Sequence, residues 1–222
     1  VAASANAAPG AITWGSSSDN VGFTYTSAAD ALGVDGLTWG LSAAFGDDGD
    51  VAASSTAETS YSLGATYVTT TGDTTVTIGG GFIQADDSNS TTINDKADVM
   101  MVSATAVTGD LTVGVGYGSG SGTDAGAEEV DGASILTAGA SYVSGDMTFS
   151  VGMKDSEAKD GAAGSDGTNT DTLEAISGSV DYVVAGGITA TLGYTDVSSQ
   201  DEGVSQTANS GSAWYIGANI SF

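Results

Sequence analysis

Apolar and polar residues alternate along almost the whole chain. Leu37, Trp39, Leu41, Ala43 and Phe45 are separated by Thr38, Gly40, Ser42 and Ala44. Leu111, Val113, Val115 and Tyr117 alternate in the same way with Thr112, Gly114 and Gly116. So do Met147, Phe149, Val151 and Met153 with Thr148, Ser150, Gly152 and Lys154, and Ile188, Ala190, Leu192 and Tyr194 with Thr189, Thr191 and Gly193. A side-chain period of two, carried by β-branched and aromatic residues, predicts strands with one apolar face, and no segment sustains a helical stripe. The pattern is all-β.

The strands come as a repeat. An apolar-Thr-apolar step recurs at Thr38, Thr75, Thr112, Thr148 and Thr189, at intervals of 37, 37, 36 and 41 residues. Each step follows a short turn: residues 33–36, then Gly72-Asp73, Gly109-Asp110, Gly145-Asp146 and Gly186-Gly187. Glycine supplies the positive φ that so short a connection needs. At the other ends the connections 47–60, 86–95, 118–132, 155–172 and 199–211 are long, acidic and rich in Ser, Gly and Asn. Twelve strands are predicted, near 11–17, 20–28, 37–46, 60–70, 74–85, 96–107, 111–119, 133–143, 147–154, 173–184, 188–198 and 212–222. All neighbours are sequential hairpins, with tight turns at one end and long loops at the other. Residues 1–10 form an irregular lead-in, and 1–222 reads as one domain.

Composition narrows the class. The 222 residues carry 28 acids against 3 lysines and no Arg, for a net charge of −25, which argues against a nucleic-acid partner. With no Cys and no His there is no disulfide, no zinc site and no thiol or imidazole catalysis. No stretch approaches the ~18 apolar residues of a spanning helix. The opening Val-Ala-Ala-Ser-Ala-Asn-Ala reads either as the small-residue end of a signal peptide or as an ordinary loop.

Side-chain size then decides which face is inside. The polar face is mostly Gly, Ser, Thr and Ala, and the charges sit in the long connections. Turned outward, that face would lack the mixed charge of a soluble surface, ~25–35 % Lys, Arg, Asp and Glu. Turned inward, it leaves a wet lumen and a bare apolar band outside. On the apolar face Trp39, Tyr67, Tyr142, Phe149, Tyr182 and Phe222 lie near the tight turns, and Phe45, Tyr61, Phe82, Tyr117, Tyr194 and Trp214 near the long loops. Two such belts, with Val, Leu, Ile, Met, Ala and Gly between them, match the aromatic girdles of a bilayer-spanning barrel. The expected fold is a transmembrane antiparallel up-and-down β-barrel.

The last strand, Tyr215-Ile216-Gly217-Ala218-Asn219-Ile220-Ser221-Phe222, resembles the terminal β-signal of outer-membrane proteins, with Tyr215 at the polar position and Gly217, Ile220 and Phe222 at the others. With the segment 19–27 (Asp-Asn-Val-Gly-Phe-Thr-Tyr-Thr-Ser) and the following Gly36-Leu37-Thr38, the chain resembles the Gram-negative general porins, above all the acidic, Gly- and Asp-rich porins of alphaproteobacteria. The resemblance implies an integral protein of a Gram-negative outer membrane, a homotrimer in contact with lipid, inserted by the outer-membrane assembly machinery through its C-terminal strand. It implies passive diffusion of small hydrophilic solutes and no enzymatic activity. Porins of this kind have 16 strands, a folded-in third loop and facing acidic and basic clusters. Here twelve strands are countable and no Arg exists to build the basic half of an eyelet. Either the chain is the C-terminal part of a longer porin, or it is a true twelve-stranded barrel. A non-channel surface protein (an autotransporter-type translocator, an adhesin or a surface-layer subunit) is the alternative class.

The pore-lining residues expected from this reading are Thr112, Gly114, Ser150, Lys154, Asp181, Thr191 and Asn219. The acidity predicts a preference for cations. No cofactor is expected. Asp47, Asp48 and Asp50 cluster in a loop, as do Asp86 with Asp87, and Asp124 with Glu128, Glu129 and Asp131. Carboxylates so spaced suit calcium, which the resemblance admits at Asp47, Asp48 and Asp50, but no calcium-loop motif is matched and solvated charge is the plainer reading.

Overall fold

A computed structural model describes residues 12–17, 20–46, 59–87, 95–123, 129–159, 170–201 and 207–220. The strands are β1 (Ile12–Ser17), β2 (Asn20–Thr26), β3 (Leu37–Gly46), β4 (Thr59–Thr71), β5 (Thr74–Asp87) and β6 (Asp95–Thr108). They continue as β7 (Leu111–Thr123), β8 (Glu129–Ser144), β9 (Met147–Lys159), β10 (Thr170–Ala185), β11 (Ile188–Asp201) and β12 (Thr207–Ile220). All twelve lie in one sheet in chain order, each antiparallel to the next. Among the described residues β1 pairs only with β2 and β12 only with β11, so the sheet has two open edges. Twelve strands closing on themselves is therefore not the arrangement seen.

The tight turns follow from their glycines. Gly72, Gly109 and Gly145 have φ of 59°, 54° and 59°, in the left-handed region, at the first position of two-residue turns. At Gly186-Gly187 the positive φ, 81°, falls on the second glycine, and there the register with β11 slips between Val183 and Ala185. The connection between β2 and β3 is longer than a tight turn. It holds a 3-10 turn at Ala31–Gly33, and Gly36 N–H donates to Asp30 Oδ1 at 2.7 Å. Ser27 Oγ accepts from Trp39 N–H at 2.9 Å, and Val68 N–H donates to Gly36 O at 2.9 Å, which ties this connection to β4.

At the far end the strands outrun the sequence reading. β7 continues to Thr123, β9 to Lys159 and β11 to Asp201, while β8 starts at Glu129 and β10 at Thr170. The Gly-, Ser- and Asp-rich stretches 118–123, 155–159 and 199–201, expected as loop, are paired strand. Once a neighbour's ladder is in register the backbone bonds continue whatever the side chains prefer.

No hydrophobic core exists among the described residues. The buried apolar side chains are Ala31 and Ala43, at 8 % and 6 % exposure. On β4 the apolar face (Tyr61, Leu63, Ala65, Tyr67) is exposed, while Ser60, Ser62, Gly64 and Thr66 are half-buried. β9 repeats this, with Phe149, Val151 and Met153 exposed and Thr148, Ser150 and Gly152 half-buried. In a curved single-layer sheet side chains crowd on the concave side and splay on the convex one. The small polar face is the concave face.

Candidate functional site

Cross-strand partners point to one side of a sheet, so the register builds the concave wall row by row. One row runs Thr70, Thr75, Val107, Thr112, Ser141, Ser150, Ser179, Gly193 and Tyr215 across β4 to β12. A second, nearer the long connections, runs Thr38, Thr66, Gly79, Ser103, Gly116, Thr137, Lys154, Ala175, Val197 and Gly211. All seven residues expected along a pore share this face. Thr112 and Gly114 line a shallow concavity of about 300 Å³ with Thr105, Gly139, Ala140 and Ser141. Ser150 adjoins it through its pairing with Ser141.

Near the tight turns a second group forms. Thr191 Oγ1 donates to Asp181 Oδ1 at 2.5 Å, and Thr191 is paired with Gly217 while Asn219 is paired with Thr189. A hydrogen bond of this kind holds the Asp181 carboxyl in place against the wall. Lys154 stands apart from both groups, between Thr137 and Ala175.

The terminal strand carries one feature that the alternation does not reveal. Tyr215 lies directly opposite Gly193 on the concave face, and a Cβ built on Gly193 would collide with the phenol end of the Tyr215 ring, at Cζ and the hydroxyl oxygen. The aromatic ring covers the strand where glycine leaves it bare, the device known as aromatic rescue. Phe222 lies outside the described residues, as do Asp47, Asp48 and Asp50. Among the described residues no group of three acids is placed to hold a metal ion.

The convex face carries the aromatic belts. Phe45 and Tyr61 meet edge to face with ring centroids 6.2 Å apart, and two tilted pairs, Tyr194 with Trp214 at 4.8 Å and Tyr25 with Trp39 at 5.1 Å, join them. Above them acids interrupt the apolar parity: Asp98 on β6, Asp155 opposite Glu174 on β9 and β10, and Asp196 on β11. On β10 the uncharged outward positions run from Ile176 to Val184, ~26 Å along the strand at ~3.3 Å per residue. A tilt of ~40° brings that to ~20 Å, close to the ~25 Å apolar band of an outer-membrane barrel.

The comparisons agree with this geometry. The chain matches outer-membrane OmpT of Vibrio cholerae with a TM-score of 0.57 at 16 % identity, over 90 % of this chain and 64 % of that one. A trimer form of OmpT from the same organism gives 0.54 at 16 % identity, over 90 % and 64 %. The anion-selective porin of Comamonas acidovorans gives 0.57 at 10 % identity, over 90 % and 57 %. The fold is that of a transmembrane, antiparallel up-and-down β-barrel of the outer membrane, and the chain spans about three fifths of the length of these structures. The sequence profile of the Gram-negative porins matches residues 2–202, and the chain belongs to that family. No curated protein sequence matches it.

Proposed function

We propose that this porin forms a water-filled path for passive diffusion of small hydrophilic solutes, prefers cations, and works without a cofactor and without chemistry on the solute. The observation that carries the reading is the inverted sheet, with small polar residues crowded on the concave face and the large apolar residues exposed on the other. Rows of Gly, Ser and Thr cannot plug a barrel of twelve or more strands, so the concave side stays wet. Thr112, Gly114, Ser150, Lys154, Asp181, Thr191 and Asn219 line that path. Family membership favours a channel over a translocator or a surface-layer subunit. The protein works as a homotrimer, and its terminal strand, with Tyr215, Gly217, Ile220 and Phe222, engages the outer-membrane assembly machinery.

Cation preference follows from charge. A net −25 creates a negative potential at the mouth that enriches cations. Salt screens that potential, with a Debye length of ~10 Å at 0.1 M, so the preference weakens as ionic strength rises. Reversal potential in a planar bilayer under a salt gradient tests both statements. Anion selectivity at low salt would overturn the charge argument, and a complete lack of conductance would overturn the channel.

A further inference from the structure

The concave wall is not uniformly polar. Met101, Gly118, Ile135, Ser156 and Leu173 form one of its rows, two residues nearer the long connections than the row of Lys154. Val99 lies two residues further along β6. These side chains line a concavity of about 620 Å³, together with Asp171, two residues before Leu173 on the same face of β10. Gly118 is the floor. It is buried, and a Cβ on it would lie 3.0 Å from Ile135 Cγ2 and 3.5 Å from Met101 Cγ, so the two flanking strands lean their side chains over it. Ser156 turns its hydroxyl to the wall, donating to Leu173 O at 3.4 Å. The floor therefore offers hydrocarbon, where the rows of Thr112 and Gly114 offer hydroxyls and bare backbone.

We infer that this patch is a solute subsite for small organic cations with an apolar body, such as aryl- or alkylammonium ions. The apolar body lies against Met101, Ile135 and Leu173, and the carboxylate of Asp171, which shares the parity of Leu173 on β10, favours the positive end. Lys154, one row away toward the tight turns, is not part of the lining. An ion with an apolar group gains by leaving water for such a floor, whereas a bare ion of equal charge gains only the electrostatic attraction. The subsite rests on the channel reading, because the solute reaches it only through a wet lumen.

The test is single-channel recording in KCl with benzyltrimethylammonium and tetramethylammonium as probes and benzenesulfonate as the anionic control. Benzyltrimethylammonium is expected to interrupt the current at concentrations about tenfold lower than tetramethylammonium, the scale set by burying part of a ring. Benzenesulfonate is expected to block no better than tetramethylammonium. The double variant Ile135→Ser with Leu173→Ser should remove the advantage of the benzyl group. Equal half-blocking concentrations for the two ammonium ions would overturn the subsite while leaving the channel intact. Block by benzenesulfonate as strong as by its cationic counterpart would overturn the charge assignment. A double variant that conducts and is blocked as the parent is would overturn the location. The probe comparison on the unaltered protein decides the matter if the variant does not insert. Absence of KCl conductance in the unaltered protein would overturn the channel reading itself.

Discussion

An Arg placed at Val151 separates a lipid-facing wall from a water-facing one. Val151 is 57 % exposed and stands on the convex face of β9, two residues beyond Phe149 and four short of Asp155. At ~3.3 Å per residue and a tilt of ~40° it lies ~5 Å inside the level of Phe149, within the apolar band but short of its middle. Arg costs ~2–4 kcal/mol at a bilayer midplane and little at the interface, so Val151→Arg is expected to cost about 2 kcal/mol. That is roughly thirtyfold in the folding equilibrium. Ser150→Arg, one residue away, turns its side chain to the concave face beside Ser141 and Ser179. There water reaches the guanidinium, and the cost should stay within ~0.5 kcal/mol, the usual range for a solvated site. Reversible unfolding by guanidinium from phospholipid vesicles, followed by tryptophan fluorescence, measures both. Equal costs at the two positions would refute the assignment of faces, and a larger cost at Ser150 would invert it.

Three other outcomes follow from particular contacts. Gly193→Ala should destabilise the barrel by ~1–3 kcal/mol, because the new methyl and the Tyr215 ring compete for one volume; adding Tyr215→Ala should recover part of that loss, and strictly additive costs in the cycle would show that the ring does not cover Gly193. Thr191→Val removes the donor to Asp181 and should cost ~1–3 kcal/mol, read as a lower denaturant midpoint at unchanged slope; an unchanged midpoint would mean that water replaces the hydroxyl in full. Protease added to intact cells should cut within 124–128, 160–169 or 202–206 and spare Gly72-Asp73, Gly109-Asp110 and Gly145-Asp146, as mass spectrometry of the fragments would report; cuts at the Gly-Asp turns would reverse the orientation.

Strand identity, order and facing were legible because alternation is a direct imprint of the pleat. Leu111, Val113, Val115 and Tyr117 could be assigned to one side before any pairing was known, and the register places them together. Strand ends were not legible. In 118–123 (Gly-Ser-Gly-Ser-Gly-Thr) nothing in the side chains favours a strand, and the ladder from β6 and β8 supplies the order instead. The open edges were equally hidden, since an edge strand and an interior strand of a single-layer sheet carry the same alternation. Of the site, the Gly-Ser-Thr rows were readable and the apolar patch was missed. Its trace was present as the runs Val99-Met100-Met101-Val102 and Ile135-Leu136, where apolar residues occupy both parities and so cannot all face lipid. Tyr215 over Gly193 had no trace, because which residues oppose one another depends on register alone.

The burial pattern finally bears on what stabilises the fold. A water-soluble sheet of this length would need a second layer against its apolar face, and the two buried alanines among the described residues are far from that. Backbone hydrogen bonds between the strands are satisfied within the sheet, but in water they contribute little net free energy, and the exposed convex face would drive association. In a bilayer the balance changes. The same face meets hydrocarbon, and an unpaired backbone group there costs several kcal/mol, so the ladder that is nearly neutral in water becomes obligatory. The fold thus depends on its surroundings, with lipid taking the place of a core. That dependence is also why the concave face is free to remain small, polar and wet: packing there is not required to hold the strands together.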